Sequence, residues 1–377
     1  ARSRRVFGVE TASGTRVAYK PRDVGPEVWF GELLERVDTA TTTPSLLCPG
    51  VVRCDGYGWV EWIEPDDCSS RQGVEQFYER LGVLTALLYG VDFTDGHLEN
   101  LIAAGEHPVV VDLETVGQPV LTAELTDSPV SEAIRDSVLS TGLIPTYFPD
   151  APLQNSAGMN PDQAIHTNTQ RATVQHPNTD AMELSFQTEV AVDGDNLPTL
   201  DGRVCPPGEF HQQLLDGFET GYRYLCSMRG TQSTDDWLTQ LADTSVRVLV
   251  RSTRRYAAAR LNIREASSLR TGVAMGREIE RLAPPVVDDE NWWRVFERER
   301  VALNRYDAPR FTVRGDGRRL RHDGEPVVEL ADATPRERVE RRLDSLCESD
   351  LREQLDYLQL AFDTDSLSHP SPATRRR

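Results

Sequence analysis

At 377 residues the chain can bury two or three packed units, so forming a core sets no limit on what it does. Its 60 Asp and Glu against 41 Lys and Arg leave a formal charge of -19, which repels nucleic acid and anionic membrane surfaces and favours basic segments as partners. There is no apolar run of about 18 residues and no signal-like start, so a soluble, unsecreted protein is expected.

Lys20 is the only lysine, and so acidic and lysine-poor a chain looks like the cytoplasmic protein of a halophilic organism. Six dispersed cysteines (Cys48, Cys54, Cys68, Cys205, Cys226, Cys347) lack CxxC spacing, which argues against a disulfide scaffold or a zinc site. In chain order, two strand-like runs around a Gly-containing turn predict a hairpin over about residues 4–20, with Lys20 ending its second strand. Val28, Trp29, Leu33, Leu34 and Val37 recur at helical spacing, which predicts a helix against that hairpin. Two more extended runs around 51–61 close a small sheet, and a lobe boundary is placed near residue 65.

Residues 73–90 read as an amphipathic helix, followed by the stretch "TDGHLENLIAAGEHPVVVDLET". Residues 117–208, rich in Pro, Asn, Asp and Thr, read as a long mobile insertion. Helices are expected over 208–228, 233–243, 254–264, 267–283 and 289–303, with a strand over 245–253 between them. A hairpin over 310–330 comes next. Thr334, Pro335 and Glu337 then open a C-terminal helical region, and residues 364–377 are a flexible tail.

Folding Leu101–Ala104 back on Val109–Val111 brings Asn100 and Asp112 to the open ends of two strands, roughly 5 Å apart. An amide oxygen and a carboxylate at that separation can hold magnesium, which prefers oxygen ligands and keeps part of its shell for phosphate. Asp95, five residues earlier, is placed to orient or deprotonate a hydroxyl. Protein kinases use the same order: a catalytic Asp, an Asn five residues on, a metal-binding Asp across a hairpin, and a strand-end Lys that "VAYK" supplies here as Lys20. Taken singly, Asp95 and Glu99 read as solvated loop acids, His97 as a local hydrogen-bond partner and Lys20 as an exposed amine. In combination they point to phosphoryl transfer.

"RVAYKPRDVGPEVWFGELLERV", "DGHLENLIAAGEHPVVVDLET", "SVLSTGLIP" and "VRVLVRSTRRYAAARL" resemble segments of the dehydratase domain of LanM-type (class II) lanthipeptide synthetases, over about residues 4–363. The resemblance implies an α+β, lipid-kinase-like two-lobe fold: a partial N-lobe over 1–65, a C-lobe over 66–265, and a helical C-terminal part over 266–363. It implies dehydration of Ser and Thr in a precursor peptide, first phosphorylation with ATP and Mg2+, then phosphate elimination. By position, Lys20 would hold ATP phosphates, Asp95 would serve the substrate hydroxyl and His97 would support that loop. Asn100 and Asp112 would bind the metal, with Glu114 assisting if the strand continues on the same face. The family's elimination pair falls on Arg247 and Thr253.

Strand alternation would put Arg247, Leu249, Arg251 and Thr253 on one face, a phosphate clamp by geometry or, more plainly, a solvated face pairing with acids. Full-length members carry a long segment before the lysine strand and a zinc cyclase domain after. This chain matches neither, so it is expected to be truncated at its N-terminus and without zinc or cyclase activity. The implied partners are a leader-bearing precursor with a Ser/Thr/Cys-rich core, a separate cyclase and an export transporter, the enzyme being cytoplasmic and peripheral to that transporter complex. Two other readings stay open: a plain peptide or small-molecule kinase, and an inactive peptide-binding partner.

Overall fold

The computed structural model describes residues 6–40, 45–121, 129–145, 157–160, 164–176, 179–283, 290–329 and 331–362. The expected first hairpin forms as β1 (Phe7–Glu10) and β2 (Arg16–Lys20), turning through Gly14 at φ 84°, a left-handed value that glycine takes without a Cβ clash. β3 (Val51–Cys54) and β4 (Tyr57–Glu61) complete an antiparallel sheet in the order β1-β2-β4-β3. Helix α1 (Gly25–Ala40) follows the spacing read from the sequence and buries Trp29, Phe30, Leu33, Leu34 and Val37. Val28, counted among its apolar positions, faces outward at 37% exposure.

Helix α2 (Arg71–Gly90), capped by the Ser70 hydroxyl on the Gly73 N–H, is buried at every residue from Arg80 to Gly90. It leads into the hairpin β5 (Leu101–Ala104) and β6 (His107–Val110). Within 117–208, expected as a long mobile insertion, the described residues include regular elements. The stretch contains α3 (Pro129–Asp136), a long antiparallel pair β7 (Ala164–Gln175) and β8 (Glu183–Asp193), and a two-residue pair β9 (Thr199–Leu200) and β10 (Arg203–Val204). Val138, Leu143, Ile144 and Met159 from it lie in the main core. Its turn-forming composition hid these contributions, because short buried stretches between turns carry no regular period.

Helices α4 (His211–Met228) and α5 (Gln232–Leu241) precede β11 (Ser245–Val248). Then come α6 (Thr253–Asn262), α7 (Gly272–Glu280) and α8 (Glu290–Asn304). The region expected as one hairpin over 310–330 is three strands, β12 (Phe311–Arg314), β13 (Arg319–His322) and β14 (Glu325–Glu329), which join β11 in a second antiparallel sheet of order β11-β12-β13-β14. A second turn, at Asp323–Gly324, divides the run into three strands. Helix α9 (Pro335–Ser345) opens with the expected capping box between Thr334 and Glu337, and α10 (Glu348–Phe362) closes the described chain. The fold is therefore α+β, with small antiparallel sheets set around a helical core. Among the described residues no helix is long and apolar enough to cross a membrane.

Two contacts fix how these parts meet. The indoles of Trp29 on α1 and Trp237 on α5 stack at 4.3 Å between centroids, and each Nε1–H donates to the other's backbone carbonyl at 2.9 and 3.0 Å. Two fully buried Trp donors are thus satisfied while α1 is pinned to the helical body. Helices α2 and α4 cross with their backbones in contact: a Cβ on Gly82 would lie 2.1 Å from the Leu214 carbonyl oxygen, and one on Gly217 2.0 Å from that of Glu79. Backbone cannot give as a side-chain tip can. Gly217→Ala should therefore cost roughly 3 kcal/mol, read as a lower urea midpoint with the m-value unchanged. A loss under about 0.5 kcal/mol would mean the helices separate easily.

Candidate functional site

The β5–β6 hairpin has the register Leu101↔Val110 through Ala104↔His107, turning at Gly105 (φ 59°). One further bond, from the Val111 N–H to the Asn100 carbonyl at 3.0 Å, extends the ladder, so Asn100 and Asp112 stand at its open end as the sequence suggested. The loop feeding this end is unusual in its backbone. Asp92 and Asp95 take φ values of 51° and 79°, a region costly for residues with a Cβ and tolerated best by short polar ones.

Several groups hold that conformation. The buried Asp92 carboxylate accepts from Arg338 at 2.6 and 2.8 Å and from Arg342 at 3.0 Å, both on α9. The Gly96 N–H donates to the Thr141 carbonyl at 2.8 Å, and the Thr115 hydroxyl donates to the Thr94 carbonyl. Asn100 donates its Nδ2 to the Asp95 backbone carbonyl at 2.9 Å, while His97 Nε2 lies 3.7 Å from Asp95 Oδ1. Burial pushes the Asp95 carboxyl up, Asp112 and Glu114 add to this, and His97 and Arg247 pull the other way. A carboxylate made more basic in this way is a better proton acceptor from a hydroxyl.

Lys20 reaches this loop from the opposite sheet. It is 5% exposed, its Nζ donating to Glu27 Oε1 at 3.1 Å and to the Val111 carbonyl, with Asp112 Oδ1 at 3.8 Å. Glu27 sits in the first turn of α1, where the helix dipole favours an anion. Arg22 lies between the same groups: its guanidinium pairs with Glu27 and Asp112, and its Nε is 3.2 Å from Glu114 Oε2. The lone lysine, the hairpin acid and the helix acid thus converge in three dimensions across 92 residues of sequence.

Glu114 departs from the expectation attached to it. The strand ends at Val110, so Glu114 lies in a turn and is buried. Both of its oxygens are engaged by guanidiniums, Oε1 by Arg247 at 2.7 Å and Oε2 by Arg310 at 2.8 Å in addition to Arg22. Burial alone would raise its pKa, but Arg310, Arg22 and Arg247 hold it at about 2. A carboxylate so surrounded by cations fits an arginine-organising role better than metal ligation.

The strand expected over 245–253 also stops early, at Val248, because β12 runs out of partners there: its last pair is Val248↔Phe311. The alternating face therefore does not form. Arg247 points to Glu114, but Arg251 turns to the fully buried Glu299, at 2.7 and 3.1 Å, and to the Leu282 carbonyl. Thr253 is the exposed first residue of α6. Three residues that complete the site escaped the sequence reading. Arg22 and Glu27 carried a signal, lying two and seven residues after Lys20 beside the start of a predicted helix. Arg310 carried none, being 196 residues from Glu114.

With Lys20 and Glu27 paired on one side, and Asp95, Asn100 and Asp112 around a hairpin end on the other, the site has the donors that phosphoryl transfer requires. The family described as a domain of unknown function, DUF4135, matches residues 1–314, and the chain belongs to it. Over 268 residues the chain is also 24% identical to the lacticin 481/lactococcin biosynthesis protein LcnDR2 of Lactococcus lactis subsp. lactis. That match takes in 66% of this chain and 28% of the relative, so the chain spans under a third of that protein's length.

Proposed function

We propose that this chain acts in lanthipeptide biosynthesis as a dehydratase: it phosphorylates Ser and Thr of a precursor peptide with ATP and Mg2+, then eliminates the phosphate within a kinase-like two-lobe fold. The observation that carries the reading is the convergence of buried Lys20 on Glu27 and Asp112, the pairing by which kinases hold nucleotide phosphates. The similarity to a lacticin 481 biosynthesis protein supports the peptide as substrate.

The residues fit magnesium delivered with a nucleotide. Among the described residues no group of three or more His, Cys, Asp or Glu could cage a metal. Mg2+ usually binds through one or two protein oxygens and takes the rest of its shell from phosphate and water. Asp112 and the Asn100 amide oxygen would hold it, the Asn100 nitrogen being committed to Asp95. The ion would screen charge on the transferring phosphoryl group. Lys20 orients the phosphates, Glu27 holds Lys20 in place, and Asp95 accepts the hydroxyl proton.

Incubation with ATP, Mg2+ and a cognate precursor should give a loss of one water per modified residue by mass spectrometry. Phosphopeptide that never loses phosphate would favour a plain kinase. Absence of Mg2+-dependent ATP binding by calorimetry would favour a silent peptide-binding partner. Arg247→Ala should let phosphopeptide accumulate several-fold, since Arg247 is the guanidinium between Glu114 and the site and charge builds on the departing phosphate. Unchanged product ratios in that variant would remove Arg247 from the elimination step.

A further inference from the structure

The loop that carries Asp95 begins where helix α2 ends, on a residue glycine would suit better. The Phe93 N–H donates to the Leu88 carbonyl at 3.0 Å and the Asp92 N–H to the Tyr89 carbonyl at 3.1 Å, with Asp92 itself at φ 51°. Helices commonly end in this pattern on a left-handed residue, usually glycine, which has no Cβ to clash. Aspartate is costlier for the backbone there. What it adds is a carboxylate.

That carboxylate is buried and gripped from α9. Arg338 meets Oδ2 through Nε at 2.8 Å and Nη2 at 2.6 Å, while Arg342 meets Oδ1 through Nη2 at 3.0 Å. Residues four apart share a helix face, so α9 presents both guanidiniums together. Arg342 is itself fixed: its Nη1 donates to the Tyr89 hydroxyl at 3.2 Å and to the Asp136 carbonyl at 3.0 Å, and its guanidinium lies 4.6 Å over the Tyr89 ring. Tyr89 donates in turn to Asp350 on α10 at 3.0 Å, and the same carboxylate accepts from Tyr222 on α4. A continuous set of bonds thus runs from α10 through α9 to Asp92. Asp95 follows three residues later, within about 10 Å of backbone. Neither α9 nor α10 falls within residues 1–314, the part that the family match covers.

We propose that Arg338 and Arg342 are positioning residues: by gripping Asp92 they fix the root of the loop that presents the Asp95 carboxylate. What this does for turnover rests on the dehydratase reading, in which Asp95 accepts the substrate hydroxyl proton. Misplacing such a group by about 1 Å costs on the order of 10^2-fold in rate. The C-terminal helices α9 and α10 thereby serve the phosphoryl-transfer step from outside the site, through Asp92.

The test compares the full wild-type chain with Asp92→Asn, Asp92→Gly, Arg342→Gln and Arg342→Lys. Three quantities are read: amide hydrogen exchange, Mg-ATP affinity by calorimetry, and phosphate transfer to a cognate precursor at saturating Mg-ATP. Asparagine tolerates the left-handed backbone and glycine relieves it, yet both remove the charge. The Gly96 and Asn100 amides, bonded to the Thr141 and His97 carbonyls, should exchange at least about tenfold faster in Asp92→Asn, Asp92→Gly and Arg342→Gln, with α4 amides unchanged. In the same three variants kcat should fall about ten- to hundredfold with Mg-ATP affinity within about twofold of wild type, and Arg342→Lys, which keeps the charge, should fall between. A loss of stability alone, with kcat per folded molecule at the wild-type level, overturns the proposal. So does wild-type exchange and turnover in Asp92→Gly, because the backbone angle would then be all that Asp92 supplies. If the wild type neither binds Mg-ATP nor phosphorylates the precursor while loop exchange still rises in the variants, the dehydratase reading falls and the grip on the loop stands.

Discussion

Asp112→Asn should abolish ATP-dependent phosphate transfer, lowering kcat by roughly 10^3-fold, on the order of 4 kcal/mol of transition-state stabilisation. Asp112 is both anchored and open. Its Oδ1 meets Arg22 and lies 3.8 Å from Lys20, while its side chain keeps 30% of its surface accessible. Asparagine preserves the shape and one oxygen but removes the charge that a divalent ion needs, so Mg2+ dependence should weaken along with turnover. Production of ADP and phosphopeptide across a magnesium series is the measurement. Turnover within about tenfold of wild type would exclude Asp112 as the metal carboxylate. Lys20→Met offers a comparison that leaves the metal ligands in place, and it should raise KM for ATP as well as lower kcat.

Loss of Glu114 should be the most destabilising single change at the site. Arg22, Arg247 and Arg310 meet on this buried carboxylate, and removing it leaves three guanidiniums without their shared anion, a situation that costs roughly 3–5 kcal/mol. The pH dependence separates this from a simple packing loss. Arg310, Arg22 and Arg247 hold the carboxyl at about 2, well below its ordinary value near 4.5, so its stabilising contribution is complete above pH 4.5 and lost as pH falls towards 2. That difference corresponds to about 3 kcal/mol. Glu114→Gln should therefore lie below the wild type by a margin that is constant above pH 5 and shrinks steadily below pH 4.5, measured by urea unfolding at each pH. A margin that stays the same from pH 5 to pH 2.5 would show that charge is not what Glu114 contributes.

Most of the site was readable because its parts are local in sequence. A hairpin with a two-residue turn sets its own register, so the positions of Asn100 and Asp112 at its open end follow from the spacing of the apolar strands. Lys20 stood out as the only lysine at the end of a strand. What failed shares one cause. The face assigned to Arg247, Arg251 and Thr253 assumed that alternation continues to the end of an apolar run, yet a strand lasts only as long as its neighbour, and β12 supplies four residues. The shared face of Asp112 and Glu114 was likewise conditional on the strand continuing, and β6 ends at Val110. The composition of 117–208 concealed Thr141, whose carbonyl receives the Gly96 N–H of the acidic loop, because a single backbone acceptor has no sequence signature.

The sequence by itself determined the α+β class, the elements from the first hairpin to the β5–β6 hairpin, the capped start of α9, and which side chains stand at the hairpin's open end and at the end of β2. Periodicity and turn residues act over a few positions, and those features are built over a few positions. Tertiary structure alone decided that Glu27 and Arg22 close around Lys20, that Glu114 gathers guanidiniums from three separate segments, and that α9 reaches back to hold Asp92. Such pairs join residues up to 250 positions apart. Coulomb attraction between them depends on distance in space, which the order of residues along a chain does not specify.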